Sequence, residues 1–189
     1  MQPPAASRAP PSGPGKHSSY EFVDRAPVLA ALAGARCVLD LGCGRGDWSL
    51  ALARAGTPVL AVDRWREGVR WLRQQAGGLP LRVIEADLGA PLPLADGAAG
   101  GVLLSLVLHH LAARGQARDL LRQIARVLAP GGVLAIIEFL PVPPPPGPPL
   151  AVRLTPVQVG EQVRDAGLVG EPPQSIAEHV GLYLARKPA

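Results

Sequence analysis

The stretch CVLDLGCGRGDW, residues 37–48, decides how this chain is read. It opens with a short apolar run that carries one acid, Asp40, and three glycines follow at positions 42, 44 and 46. Such a run suits a strand covered on both faces. Glycines directly after it let the backbone turn sharply and approach a ligand with no Cβ in the way. Helical spacing starts at Asp47, so the amides of a new helix point back at the same turn. The unit reads as buried strand, glycine turn, helix.

Outward from this unit the alternation continues. PVLAV (58–62), LRVIEA (81–86), GVLLSLVL (101–108) and GGVLAIIEF (131–139) read as strands. DWSLALARAG (47–56), REGVRWLRQQ (66–75), GQARDLLRQIARVL (115–128) and TPVQVGEQVRDAG (155–167) read as helices, the first closed by Gly56. Another helix is expected between Tyr20 and Leu32, stopped by Gly34, and HVGLYLARKP (179–188) supplies one more strand, at an edge or beside the last parallel strand. Strands alternating with helices of this length predict βαβ units: an α/β fold, a parallel sheet with helices on both faces. No internal repeat interrupts the pattern. Residues 1–19, rich in Pro, Ala and Ser, are expected to be a flexible arm ahead of one domain spanning 20–189. The proline-rich PVPPPPGPP (141–149) predicts an extended connection, read as a spacer, a stiff lid or a surface segment for a partner.

Composition narrows the function classes. Hydrophobic residues make up 48% of 189 and charged residues 18%, which describes a packed globule. A net charge of +4, part of it from Arg8 and Lys16 in the arm, is too mild for a nucleic-acid footprint. Arg114, Arg118, Arg122 and Arg126 do recur at i, i+4 spacing, read as a solvated helix face or as a basic stripe for RNA. Cys37 and Cys43 are too few for a disulfide framework or a zinc site, so no metal is expected. With no signal-peptide core and no apolar run long enough to span a membrane, a cytoplasmic location is expected. A homo-oligomer is compatible with the sequence.

The acids sharpen the reading. In open parallel sheets ligands bind at the carboxyl ends of strands where the strand order reverses. Asp63 closes the second strand 17 residues past Gly46, where a carboxylate can accept both hydroxyls of a ribose. Asp87 closes the third strand, within reach of an exocyclic amine, and Asp40 lies in the first strand beside the glycines. Three carboxylates with no basic residue aimed at a phosphate point to a ligand carrying a ribose and positive charge. A dinucleotide fingerprint is the competitor, and it fails because the third glycine comes one residue early.

VLDLGCGRGDW, VLAVDRW, IEADLGAPLPLADGAAGGVLLSLVLHHL and VLAPGGVLAIIEF, in that order, resemble the class I S-adenosylmethionine-dependent methyltransferases. The closest likeness is to small-molecule enzymes of the ubiquinone/menaquinone-biosynthesis-like group, from about Tyr20 to the C-terminus. The resemblance implies a Rossmann-like three-layer sandwich with a seven-stranded, mostly parallel sheet whose last strand is antiparallel. It implies S-adenosylmethionine as methyl donor and S-adenosylhomocysteine as product. By motif position, Gly42, Cys43 and Gly44 would line the methionine part and Asp40 would hold its amino group. Asp63 would bind the ribose hydroxyls, Arg64 or Trp65 would flank the adenine, and Asp87 with the backbone at Leu88 would meet its edge. Ser105 and Leu106 would line the methyl-transfer face.

Just past the fourth strand, His109 and His110 are candidate bases, since an imidazole titrates near neutrality. A packed and a solvated ring at a polar helix start is the plainer reading. His17 and Tyr20 are weaker candidates. The Asn/Asp-Pro-Pro-Tyr element of enzymes that methylate adenine or glutamine amides is missing after the fourth strand, and neither cysteine is placed to attack cytosine. A small-molecule acceptor is expected. RNA or protein methylation and a non-catalytic cofactor-binding subunit are the alternatives.

Overall fold

The computed structural model describes residues 18–142 and 147–189. The expected arm up to His17 and the centre of the proline-rich connection lie outside these residues. Ser18 and Ser19, assigned to the arm from sequence, belong to the fold: Ser18 caps a 3-10 turn at Ser19–Glu21.

Among the described residues, eight strands form one sheet in the order β3-β2-β1-β4-β5-β8-β6. These are β1 (Val38–Leu41), β2 (Val59–Asp63), β3 (Leu81–Glu85), β4 (Ala99–Ser105), β5 (Leu128–Phe139), β6 (Val169–Gly170), β7 (Gln174–Ala177) and β8 (Val180–Arg186). The first five pair in parallel, and β8 runs antiparallel to β5. β6 and β7 both pair antiparallel with the free edge of β8. They are one edge strand broken in two, because Pro172 and Pro173 between them offer no N–H to the ladder. The expected seven-stranded, mostly parallel sheet is therefore present with its outermost strand split.

The helices α1 (Ala26–Leu32), α2 (Asp47–Arg54) and α3 (Arg66–Gln75) cover one face, and α4 (Leu108–Ala112), α5 (Ala117–Val127) and α6 (Pro156–Asp165) cover the other. Successive strand side chains point to opposite faces. Leu39 and Leu41 of β1, Leu104 of β4 and Ile136 of β5 therefore pack with Leu121 and Ile124 of α5. Val38, Leu103 and Ile137 pack with Leu32 of α1, Leu52 of α2 and Leu72 of α3. Burial on both faces is why these strands read as continuous apolar runs.

Several element boundaries depart from the expectation. The helix expected from Tyr20 forms only over Ala26–Leu32, behind a 3-10 turn. Leu128, read as the end of a helix, instead opens β5 three residues ahead of the expected strand. The run GVLLSLVL predicted a strand to Leu108, but β4 ends at Ser105 because Leu106 takes a left-handed conformation, φ 57°. Val107 and Leu108 then open α4, a five-residue helix that apolar patterning alone does not separate from the strand.

The strand order reverses between β1 and β4, so a crevice opens at their carboxyl ends. Gly46 fixes one wall of it. Its φ is +78°, and a Cβ there would lie 2.4 Å from a methyl of Leu72, itself fully buried. Gly46→Ala therefore combines a disfavoured backbone with overpacking, and we expect a loss of about 2–4 kcal/mol in unfolding free energy. An unfolding free energy from urea titration within 1 kcal/mol of wild type would contradict that account.

Candidate active site

The crevice holds a cavity of about 410 Å3. The glycine turn forms its floor: the amides of Gly42 and Cys43 both donate to Val62 O of β2, at 2.7 and 3.1 Å. Gly42, with φ +78°, sits so close to α4 that a Cβ would lie 2.4 Å from Val107 Cγ2. Only glycine lets the turn, β2 and the start of α4 close on one another here.

Asp63 ends β2 with both carboxylate oxygens engaged. Gly44 N–H donates to Oδ2 at 2.7 Å and Trp65 N–H donates to Oδ1 at 2.8 Å. A carboxylate has about four acceptor positions, so these two bonds aim the group and leave capacity for a diol. Asp40 is 2% exposed, and its carboxylate accepts a hydrogen bond from Ser49 Oγ in the first turn of α2. No basic side chain pairs with it among the described residues. Burial pushes its carboxyl up to about 7, against the partial relief of the Ser49 bond. Folding thus favours the neutral form, and this group's contribution to stability falls as pH rises from about 4 to about 7. Binding a cation favours the ionised form instead. We expect the dissociation constant of S-adenosylhomocysteine to tighten roughly tenfold between pH 6 and pH 8, as such a carboxyl ionises. Calorimetry across that range checks it, and Asp40→Asn should flatten the profile.

Asp87 stands on the rim, with Oδ1 accepting from Gly89 N–H at 2.9 Å and Oδ2 4.0 Å from Arg64. Arg64, Trp65, Leu88, Ser105 and Leu106 complete the wall with Cys43, so every cofactor-contact residue expected from sequence lines this one cavity. Burial and the carboxylates of Asp40 and Asp63 push the Cys43 thiol well up, which keeps it protonated and suits it to packing rather than attack.

The histidine pair is divided. His110 lines the cavity and is exposed, and partial burial followed by the charge of His109 lowers its pKa. His109 is not among the lining residues. It is 3% exposed, with Nδ1 2.7 Å from Glu138 Oε2 and its backbone N–H donating to Glu138 Oε1 at 3.1 Å. The reason is strand parity: Glu138 shares the face of β5 that carries Leu134 and Ile136, under α4. As a base in contact with substrate, His109 is ruled out by this placement.

Several lining residues were not anticipated. Ser19 is 1% exposed; its Oγ lies 2.6 Å from Ser105 Oγ and accepts from Trp48 Nε1 at 2.8 Å. Nothing in the Pro/Ser composition before Tyr20 marked it. Arg45 lay inside the glycine turn, and its position there was the available signal. Arg114 turned out to line the cavity rather than to continue a basic stripe. Arg118, Arg122 and Arg126 pair with Asp165, Asp119 and Asp96 at 3.6, 3.2 and 2.8 Å.

A family model described as a methyltransferase domain matches residues 39–136, from β1 through β5. The chain belongs to this family. It is 36% identical over 133 residues to the demethylmenaquinone methyltransferase of Thermus thermophilus, covering 65% of this chain and 54% of that one. It is 29% identical over 142 residues to the 27-O-demethylrifamycin SV methyltransferase of Amycolatopsis mediterranei, covering 70% and 49%. The chain thus spans about half the length of these relatives. Its fold matches the crystal structure of a SAM-dependent methyltransferase from Aquifex aeolicus with a TM-score of 0.78, at 23% identity over 93% of this chain and 94% of the other.

The donor set of this domain fits S-adenosylmethionine. A buried acid without a cationic partner suits an ammonium, and an amide-held carboxylate at the end of β2 suits a ribose. No helix among the described residues is long and apolar enough to cross a membrane.

Proposed function

We propose that this protein transfers a methyl group from S-adenosylmethionine to a small-molecule acceptor. The observation that carries the reading is Asp63, fixed by Gly44 and Trp65 at the end of β2 with the buried Asp40 one strand away. Asp63 would take the ribose hydroxyls, Asp40 the ammonium, and Asp87 with the Leu88 backbone the adenine edge. Two relatives named for small acceptors, a demethylmenaquinone and a demethylrifamycin, support a small substrate here. So do the acid partners of Arg118, Arg122 and Arg126, which use up the stripe an RNA would need.

Bound at this site, the cofactor supplies an electrophilic methyl on a sulfonium. The protein's work is then positioning, exclusion of water and care of one proton. Ser105 and Leu106 would hold the acceptor in line with the methyl–sulfur bond. The acceptor's proton passes to His110, whose lowered pKa keeps the imidazole neutral and receptive near pH 7.

Calorimetric titration with S-adenosylhomocysteine against NADH tests the cofactor, with binding expected for the first alone. His110→Ala should leave that binding constant within twofold and lower single-turnover methyl transfer by about 10²–10⁴, the usual worth of general base catalysis. An undiminished rate in that variant would remove His110 from the mechanism.

A further inference from the structure

We propose that Arg45 receives the carboxylate of the cofactor's methionine, and that Glu21 competes with that carboxylate for the same guanidinium. The inference rests on the cavity being the S-adenosylmethionine site. In an amino acid the carboxylate stands one carbon away from the ammonium. Whatever holds it must therefore be close to Asp40 and the glycine turn. Three arginines line the cavity. Arg64 and Arg114 are exposed on the rim, and Arg64 lies 4.0 Å from Asp87. Arg45 is inside the turn, with its side chain 16% exposed. The other charges nearby, Asp40, Asp63 and Asp47, are all acids, so without Arg45 a bound carboxylate would meet only its own sign.

The guanidinium is prepared for such a ligand. Asp47, the first residue of α2, accepts from Nε at 3.2 Å and from Nη2 at 3.1 Å, which fixes the plane of the fork. Nη2 also donates to Glu21, whose side chain is 48% exposed. Nη1 has no hydrogen-bond acceptor among the described residues. A carboxylate approaching the Nη1/Nη2 edge meets the space and the charge of Glu21. The turn that carries Glu21 is itself pinned. Ser19 bonds to Ser105 and Trp48, and the Tyr20 ring packs edge-on to Trp48 with centroids 4.9 Å apart. The exchange thus needs the half-exposed Glu21 side chain to leave Arg45 while the Ser18–Glu21 backbone stays against the cavity wall.

The test compares S-adenosylmethionine, its decarboxylated analogue and 5′-methylthioadenosine by calorimetry on wild type, Arg45→Gln and Glu21→Gln. Wild type should favour S-adenosylmethionine over the decarboxylated form by about 30-fold, as a charge-assisted contact implies. Arg45→Gln should reduce that ratio to about threefold and leave 5′-methylthioadenosine binding unchanged, which also shows that the variant is folded. Glu21→Gln should tighten S-adenosylmethionine by about three- to fivefold, the scale of an exposed ion pair, and leave the decarboxylated analogue unchanged. Tight binding with a ratio that Arg45→Gln does not move overturns this inference alone, as does an equal effect of Glu21→Gln on both ligands. Failure of all three ligands to bind wild type overturns the cofactor reading and this inference with it.

Discussion

Glu138→Ala is expected to lower the unfolding free energy by about 3–5 kcal/mol, the cost of leaving two buried hydrogen-bonding groups without their partner and a space in the sheet–helix layer. Glu138 is 1% exposed in β5, and both its oxygens serve His109, one on the ring and one on the backbone amide. Truncation leaves an imidazole and an N–H inside the sheet–helix layer with no acceptor, against a total stability of about 5–15 kcal/mol for a domain of this kind. Glu138→Gln keeps an acceptor for the amide of His109 and should cost less than half as much. Because the two residues act on one contact, the double variant with His109→Ala should cost no more than about 1 kcal/mol beyond the worse single variant. Denaturant midpoints decide it, and a Glu138→Ala variant within 1 kcal/mol of wild type would show the pair to be expendable. The consequence for function is indirect. The pair anchors α4, and the ring of His110 lies 4.0 Å from that of His109, so the cavity wall that carries the proposed base rests on a buried acid.

Asp63→Ala is expected to weaken S-adenosylhomocysteine binding by about 2–3 kcal/mol, or roughly 30- to 150-fold, with a far smaller effect on folding. Two losses combine. The ribose hydroxyls lose a charged acceptor, and the amides of Gly44 and Trp65 lose the group that sets the glycine turn against the end of β2. Asp63→Asn separates them. Its single carbonyl oxygen can satisfy one amide but its NH2 faces the other, so it should lie near the alanine variant in affinity. An unchanged dissociation constant in Asp63→Ala would move the ribose elsewhere. Of the expected effects on binding this is the largest, because in the proposed mode the ribose and two backbone amides share this one carboxylate.

Much of this was legible in the chain. α3 matches its expected span, 66–75, and β1 and β2 fall within a residue of theirs, because buried parallel strands and amphipathic helices leave opposite periodicities. The glycine spacing and the acids closing successive strands located the cavity before any coordinate, since a strand end in a parallel sheet has one address. Less legible was the junction after β4. Leu106 is apolar like its neighbours, and nothing in its side chain signals that its backbone turns left-handed and starts a helix.

The sequence by itself determined the α/β order, the ligand end of the sheet and the carboxylates that face it, because those features are local patterns of burial and turn chemistry. Tertiary structure alone decided which histidine faces the cavity, which arginines are paired, and that Ser19 and Glu21 reach the site from far along the chain. Those outcomes depend on strand parity and on contacts between residues as distant as Ser19 and Ser105, and a one-dimensional pattern records neither.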